Sequence, residues 1–442
     1  MTQPPPPPPR PAATPDVGFF GHPRGLSTLF FTEMWERFSY YGMRGFLILY
    51  MIKALGFTDQ HAGLSYGNYV SSVWLTPILG GLIADRWLGQ YRSVLVGGII
   101  IAFGHFTLAF PALPFFYAGL TLIVIGTGLL KPNISTLVGA LYAPGDERRD
   151  AGFSIFYMGI NLGAFLGPLI AGRLAEGVDW HLGFACAGVG MTLGLVQYVV
   201  GRGRLQPALE RLAARPRPAA AGVASGEGLS GDDWRRIAVV VVLFVFASVF
   251  WGAYEQAGST LALFADRYVN LEFLGIKLYA SWFVSIQAGF VILLSPFFAW
   301  LWVRLGPRQP SSPAKFALAL MFVGLAFVLL LPAGASAQTG VKVTPLWLVG
   351  AYFIQELGEL CLSPVGLSLV TKLAPVRLVS MLMGVFFLSN AAGNWLAGWS
   401  ARFISTLPLV QLFGITASVT LGAGLVLFLL LKPIRNLMGG VR

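Results

Sequence analysis

The stretch Glu33-Met-Trp-Glu36-Arg37-Phe-Ser-Tyr40-Tyr41-Gly42-Met-Arg44 lies inside the first long apolar segment of a 442-residue chain. It puts two carboxylates, two guanidiniums and two phenols where hydrocarbon side chains would be expected. At about 100° per residue, Glu33, Glu36, Arg37, Tyr40, Tyr41 and Arg44 fall on about 140° of one helical face. Ionisable groups in a membrane segment are costly and normally face a protein interior or an aqueous cavity. The stretch therefore predicts a membrane helix with one face forming the charged wall of a pathway. The competing reading is an i,i+3/i,i+4 ion cluster that only locks helices together.

The rest of the chain supports a membrane setting. It is 56% hydrophobic and only 11% charged, with a mean hydropathy of +0.71. A soluble domain carries about 25% charged residues. Runs able to cross about 30 Å at 1.5 Å per residue recur along the whole length, and no alternating pattern suggests a barrel. The 54 glycines and 34 phenylalanines suit close helix packing and lipid-facing bulk. The expected segments are 26–52, 62–84, 93–113, 115–141, 152–174, 182–200, 237–264, 274–302, 316–331, 345–373, 379–403 and 410–431, twelve helices in all. Residues 1–25 begin with the Pro4–Pro9 run and read as a disordered tail. Residues 203–236, rich in Arg, Pro, Ala, Gly and Ser, read as a linker without an apolar span. It separates an N-terminal bundle over 26–202 from a C-terminal bundle over 237–432, with a tail over 433–442.

The net charge of +11 is distributed unevenly. Apart from Arg37, Arg44 and Lys131, 21 Lys and Arg fall on one side of this topology and 6 on the other. By the positive-inside rule both termini are cytoplasmic. No basic patch is interleaved with base-stacking aromatics, which argues against nucleic-acid binding. Cys186 and Cys361 lie in apolar segments and read as small core residues rather than a disulfide framework. No Ser/His/Asp grouping, metal-ligand cluster or phosphate loop points to an enzyme or a metal site. Of the histidines, His22, His61 and His181 lie near helix ends and His105 is isolated in an apolar run.

Two further patterns carry information. The fourth segment holds Gly126-Thr-Gly-Leu-Leu-Lys131-Pro132, and the tenth holds Gly358-Glu359-Leu-Cys-Leu-Ser363-Pro364. Superposing the prolines sets Lys131 on Ser363 with Glu359 one turn earlier. A pseudo-two-fold axis between the halves would bring Lys131 and Glu359 towards each other across a cavity. The loop Gly80-Gly-Leu-Ile-Ala-Asp85-Arg86-Trp-Leu-Gly89-Gln-Tyr-Arg92 combines a tight glycine turn with Asp85, placed to cap or pair with a neighbouring helix end. Trp302-Val-Arg304-Leu-Gly306-Pro-Arg308 resembles a degraded copy in the second half.

The Asp85 loop resembles the signature of the major facilitator superfamily, and Glu33-x-x-Glu36-Arg37-Phe-x-Tyr40-Tyr41-Gly42 resembles the hallmark of the proton-dependent oligopeptide transporters. Gly128-Leu-Leu-Lys131-Pro-Asn-Ile-Ser, Phe153-Ser-Ile-Phe-Tyr157-Met-Gly-Ile-Asn161-Leu-Gly, Glu255-Gln256 and Glu359-Leu-Cys-Leu-Ser363-Pro-Val-Gly extend the likeness over nearly the whole membrane portion. The resemblance implies an all-α membrane protein of the major facilitator fold, two pseudo-symmetric six-helix bundles that rock about a central site. It implies proton-driven import of di- and tripeptides across a bacterial-type cytoplasmic membrane, with protons as the coupling ion and no other cofactor.

Carried over by motif, Glu33, Glu36, Arg37 and Glu255 would couple protonation to transport. Arg44 and Lys131 would attract the peptide carboxylate, and Asn161, Gln287, Glu359 and Ser363 would meet its backbone and amino terminus. Tyr40, Tyr41 and Tyr69 would line the pocket. Arg44 with Glu255 would form an outer gate and Lys131 with Glu359 an inner one, while Asp85 and Arg86 would act as conformational locks.

The chain departs from the family pattern in several places. The linker has no room for the two extra helices common in bacterial relatives. Gln287-Ala288 stands where Asn-Pro is frequent, Phe386 where Trp is frequent, and Gly67-Asn68 where mammalian members have a histidine. Glu356, one turn before Glu359, is an acid with no inherited role. Partners implied are the peptide, protons and the lipid bilayer, with the protein monomeric. The alternatives are the same scaffold carrying nitrate or another small solute, and a drug exporter. A zwitterionic peptide needs a cationic and an anionic pole in one cavity, which Arg44, Lys131 and Glu359 can supply.

Overall fold

A chain this apolar must satisfy its backbone polar groups internally, which in hydrocarbon leaves helices and closed barrels. The computed structural model describes residues 18–143, 145–214, 230–373 and 379–438, and these are overwhelmingly helical. The first half comprises α1 (Gly25–Lys53), α2 (Asp59–Ile83), α3 (Gln90–Leu108), α4 (Leu113–Ala140), α5 (Arg149–Gly167), α6 (Arg173–Gly177) and α7 (Trp180–Val200). A π-helical turn, Pro168–Gly172, joins α5 to α6 so that they run as one rod. After α8 (Arg202–Ala213), the second half comprises α9 (Gly231–Tyr254), α10 (Thr260–Tyr268), the strands β1 (Glu272–Phe273) and β2 (Ile276–Lys277), α11 (Trp282–Leu305), α12 (Ser312–Gln338), α13 (Leu346–Leu373), α14 (Val379–Ala401), α15 (Leu409–Leu429) and α16 (Leu431–Leu437).

Among the described residues, twelve of these helices are 19 residues or longer. Eight spans are long and apolar enough to cross a membrane by composition alone. Helix α1 misses that threshold because Glu33, Glu36, Arg37 and Arg44 put three or more charges in every 18-residue window. Large apolar side chains such as Phe103, Leu293 and Phe428 stand exposed on the outer surface, as a hydrocarbon solvent permits.

In the first bundle α1 packs on α5 and α7, α2 on α4, and α3 on α4 and α7. In the second, α12 packs on α13 and α15, α9 on α14, and α11 on α13. The bundles meet through α2 against α14 and α5 against α11. Counting long helices, those are contacts of the second with the eleventh and the fifth with the eighth. A shift of six helices turns one contact into the other, so the interface itself carries the pseudo-symmetry expected of repeat-built transporters.

At the α2–α14 contact two backbones touch. A Cβ added to Gly398 would lie 2.4 Å from the Gly67 Cα and 2.6 Å from the Gly63 carbonyl oxygen. Small residues at helix crossings are what membrane packing uses where lipid gives no hydrophobic drive.

The end of the molecule opposite the termini is tied across the bundles. Lys53 at the end of α1 pairs with Asp266 of α10. Asp59 at the start of α2 accepts from Arg267 Nη1 at 2.8 Å, and Arg267 also donates to Ser405 at 3.0 Å. Glu176 of α6 accepts from the Ala280 and Ser281 amides at 3.1 and 2.9 Å, and Trp282 donates to the Leu169 carbonyl at 3.0 Å.

Several element boundaries differ from the sequence expectation. Residues 274–281 were expected to open a helix. Instead the chain forms the β1–β2 hairpin, with Leu274 and Gly275 at positive φ, and α11 begins only at Trp282. The ninth segment runs on to Gln338 through Pro332, because neighbouring helices can absorb a proline kink in a membrane. The seventh is not continuous: Glu255–Gly258 is a 3-10 turn between α9 and α10. The linker opens with a helix, α8, whose Leu205 and Ala208 are buried and whose Arg211 donates to the Ala140 and Leu141 carbonyls at 3.0 and 2.6 Å.

Order also begins earlier than the tail expectation. Phe19 pairs with His22 in a bridge, and His22 meets the Tyr142 hydroxyl at 3.0 Å. The boundary at 433 falls inside α16. The Pro4–Pro9 run, residues 215–229 of the linker and residues 439–442 lie outside the described residues.

Candidate functional site

Helix periodicity stacks the charged face of α1 as expected, and neighbouring helices bury it. Glu33, Glu36 and Arg37 are all at most 3% exposed. Arg37 Nε lies 3.1 Å from Glu33 Oε1 and closer still to Glu36 Oε2, so one guanidinium serves two carboxylates. Its charge also sits 5.4 Å from the Tyr40 ring centroid. Burying three charges in this way is tolerable only while all three remain together, because removing one partner strands the others in a low dielectric.

Two turns along, Arg44 pairs with Glu255 and donates through Nε to the Tyr66 hydroxyl at 2.7 Å. The break between α9 and α10 is what makes this possible. A 3-10 turn inside a helix often marks a functional hinge, and here it delivers Glu255 inward while Ser259 anchors to the Ala397 carbonyl at 2.9 Å. Arg44 belongs to the first bundle and Glu255 to the second, so the pair is one more inter-bundle tie.

The two bundles enclose a cavity of about 260 Å³ lined by side chains of both. Of the residues singled out from sequence, Glu33, Arg37, Tyr41, Arg44, Lys131, Asn161, Glu255, Gln287, Glu359 and Ser363 all line it. Lys131, just before the Pro132 kink of α4, has its ammonium 3.4 Å from the centre of the Trp74 ring. Asn161 donates to the Tyr157 carbonyl one turn earlier at 3.0 Å. Gln287 donates to Gln355 at 3.1 Å, tying α11 to α13.

Glu359 faces this space from α13. Its Oε2 accepts from Tyr254 at 2.7 Å, and its Oε1 accepts from Ser363 at 3.3 Å and Tyr157 at 3.5 Å. The expected Lys131–Glu359 ion pair is not among the contacts of either residue. Lys131 rests on an aromatic face instead, and Glu359 is held by hydroxyls. One expected ion pair, Arg44–Glu255, is thus formed, and the other, Lys131–Glu359, is not.

Other expected residues do not reach the cavity. Glu36 sits behind Arg37. Tyr40 and Tyr69 are buried among the helices without lining the space. Asp85 and Arg86 are exposed on the π-turn after α2, where Asp85 accepts from Gln90 at 2.9 Å.

The cavity also includes residues that sequence reasoning passed over: Trp74, Tyr157, Trp251, Tyr254, Phe387 and Asn390. Aromatic residues are ordinary in membrane helices, and nothing in their spacing marked these. Tyr157 lies within the Phe153–Gly163 motif without standing out in it, and Phe386, a departure from the family pattern, lines the wall too. Glu356 is fully buried beside the site, its Oε1 accepting from Tyr254 at 2.7 Å.

Chemically, the arrangement offers three cations (Arg37, Arg44 and Lys131), three carboxylates (Glu33, Glu255 and Glu359), amides from α5, α11 and α14, and aromatic walls. A family model described as the POT family matches residues 91–208 and 227–417. The chain is 36% identical to a di-/tripeptide transporter of Lactococcus lactis subsp. cremoris, over 96% of this chain and 98% of that one. It is 39% identical to the uncharacterized transporter YclF of Bacillus subtilis, over 97% and 98% of the respective chains. It is also similar to a solved structure of a peptide transporter in complex with sulfate, at 41% identity and a TM-score of 0.87, covering 96% of this chain and 98% of that one.

Proposed function

This chain belongs to the POT family of transporters, and we propose that it is a proton-coupled symporter importing di- and tripeptides by alternating access. A polar site between two pseudo-symmetric bundles is the layout of a secondary transporter. The observation that carries the reading is the polarity of the cavity. Arg44 and Lys131 approach from the first bundle and Glu359 from the second, with Asn161 and Gln287 beside them. A zwitterionic peptide lying between the bundles would present its carboxylate to the cations and its ammonium to Glu359. Aromatic walls from Trp74, Tyr157, Trp251 and Tyr254 accept varied side chains more readily than a set of fixed hydrogen bonds would. A bare anion such as nitrate would be repelled by Glu359, which favours peptides as cargo.

Coupling requires the proton and the peptide each to prefer one conformational state. In this reading Glu33, Glu36 and Arg37 form the proton switch. Protonating either glutamate loosens its hold on Arg37 and changes the field at the cavity. Arg44–Glu255 acts as the outer gate, closed here together with the Lys53–Asp266 and Asp59–Arg267 ties. Lys131–Glu359 acts as the inner gate and stands open. With both termini cytoplasmic, as the distribution of Lys and Arg supports, the cavity faces the cytoplasm. Asp85 and Arg86 then lie at the cytoplasmic surface as lock residues, and the protein works as a monomer in the cytoplasmic membrane.

The test is uptake of a labelled dipeptide into proteoliposomes under an imposed acid-outside gradient, competed with tripeptide, free amino acid and nitrate. Gradient-dependent uptake competed by the tripeptide alone is the expected result. Absence of any gradient-dependent peptide uptake sinks the reading.

A further inference from the structure

The hydroxyl of Tyr254 lies 2.7 Å from Glu356 Oε1 and 2.7 Å from Glu359 Oε2. Both are ordinary O–H···O separations, yet a phenol carries a single hydrogen and can donate only once. If both carboxyls were ionised, one of the two contacts would set oxygen against oxygen with no proton between them. A proton on one glutamate completes the set, since the phenol can then accept from that acid and donate to the other.

The surroundings decide which glutamate holds it. Glu359 faces the cavity and has hydroxyls on both oxygens, from Tyr254, Ser363 and Tyr157. Glu356 is 0% exposed, its Oε1 accepts from Tyr254, its carboxyl lies within hydrogen-bonding reach of Glu359, and its Oε2 has no donor among the described residues. An ionised carboxylate with a bare buried oxygen is far costlier than a neutral acid with a bare carbonyl.

Among the described residues no neighbouring cation offsets a second charge. Of the helices packed on α13, α12 carries Lys315 as its one titratable group, which lies over the Trp302 ring and donates to Gln309. Helix α11 carries Arg304, set against Trp300. Helix α14 has no titratable residue in its sequence. Helix α9 contributes Tyr254 near the cavity, its Asp and Arg residues lying at its far end, with Glu255 just beyond its last turn. Across the cavity stand Tyr157 on α5 and Lys131 on α4, the latter held over Trp74. Among the described residues no ion pair reaches Glu356 or Glu359.

We propose that Glu356, Tyr254 and Glu359 form a one-proton chain, a second proton site in the C-terminal bundle that loads or unloads Glu359. At rest Glu356 is the neutral acid, its O–H donating to the Tyr254 oxygen, and Tyr254 donates to the Glu359 carboxylate. Transfer along the chain moves the Glu356 proton onto Tyr254 and the Tyr254 proton onto Glu359. One O–H bond breaks and one forms at each step, and the trio's net charge is unchanged. Glu356 ends as the anion, still receiving a hydrogen bond from Tyr254, and Glu359 ends neutral. A substrate ammonium held by Glu359 then loses its counter-charge. This last consequence rests on the proposed pairing of Glu359 with the peptide amino terminus, whereas the proton chain itself does not.

Two measurements on the full-length protein separate the claims. In infrared spectra without peptide, the wild type at neutral pH is expected to show the carbonyl stretch of a protonated buried carboxyl. Glu356→Gln removes that band, and Tyr254→Phe, which deletes its hydrogen-bond acceptor, shifts it in frequency. In proteoliposomes under an acid-outside gradient, Glu356→Gln is expected to lower accumulation of labelled dialanine at least about fivefold, the lower end of coupling between linked sites. Exchange of dialanine without a gradient continues at the wild-type rate, because Glu356 does not line the cavity.

A wild-type-minus-Glu356→Gln difference spectrum without a protonated-carboxyl band, or accumulation equal to wild type, overturns the proposal. If Glu356→Gln does not fold, an unshifted band in Tyr254→Phe overturns it and a shifted one upholds it. Should the wild type move no dialanine while the band behaves as expected, the proton chain stands and the peptide reading falls.

Discussion

Two pairs of glutamates in this molecule have the same spacing and opposite solutions. Glu33 and Glu36 in α1, like Glu356 and Glu359 in α13, are three residues apart and so share a helical face. In α1 the next position on that face is Arg37, and one guanidinium reaches both carboxylates. In α13 the corresponding position, Leu360, is apolar, and a phenol from α9 stands between the acids instead. A cation can offset one of two carboxylate charges while bonding both, but a phenol carries no charge and satisfies both acids only if a proton is supplied. The first cluster is therefore held by electrostatics within its own helix, and the second by a shared proton between helices.

The largest effect that can break this comparison is removal of the cation. Arg37→Met should strand two buried carboxylates and cost about 3–5 kcal/mol, read as a drop in thermal unfolding temperature in detergent. Recovery of much of that loss at low pH, where the glutamates take up protons, would show that charge alone was missing. Next is Glu359→Gln. Losing a charge-assisted hydrogen bond to the substrate ammonium should weaken dipeptide binding by about 1.5–3 kcal/mol. The same substitution should leave the affinity for an N-acetylated dipeptide unchanged, and equal losses for both ligands would remove Glu359 as the ammonium partner.

A functional contrast follows from Glu36→Gln. It should keep downhill peptide exchange while abolishing proton-driven accumulation, and undiminished accumulation would take the coupling role away from α1. The smallest effect sharpens the comparison most. Glu356→Gln should change unfolding stability by less than about 1 kcal/mol, because an amide replaces a group that is already neutral and keeps a donor for Tyr254. A loss as large as that of Arg37→Met would mean Glu356 is ionised and that the two clusters are alike after all.

Much of the fold was legible because the membrane is a strict solvent. Apolar runs of sufficient length marked the long helices. Charges inside those runs stood out for the same reason, which is why Glu33, Arg37, Arg44, Lys131 and Glu359 were visible before any coordinates. What escaped was whatever hydrocarbon tolerates. Trp74, Trp251 and Tyr254 belong to a residue type that is as common facing lipid as facing a cavity. Only the packing of α2 and α9 turns them inward.

The break at Glu255–Gly258 left no mark in an apolar stretch that reads continuously from 237 to 264. The β1–β2 hairpin was hidden by Leu274, Ile276 and Leu278, whose apolar side chains read as the start of the segment 274–302. Glu356 was conspicuous as an extra acid, yet its partner lies on another helix about a hundred residues away in sequence. Only the fold brings them together.

The touching backbones of Gly63, Gly67 and Gly398 have a mechanical meaning. Where side chains interdigitate, one helix can slide over another only by lifting each knob out of its hole, and tightly packed surfaces resist this by being bistable. Three glycines remove the knobs where the backbones of α2 and α14 come closest, leaving the Trp395 indole, which donates to Asn68 at 3.2 Å, as a side-chain contact beside them. The two surfaces there can roll on one another like smooth cylinders while the rest of each bundle stays rigid. The crossing thus has the properties of a bearing, and a single methyl at Gly398 would give it a tooth.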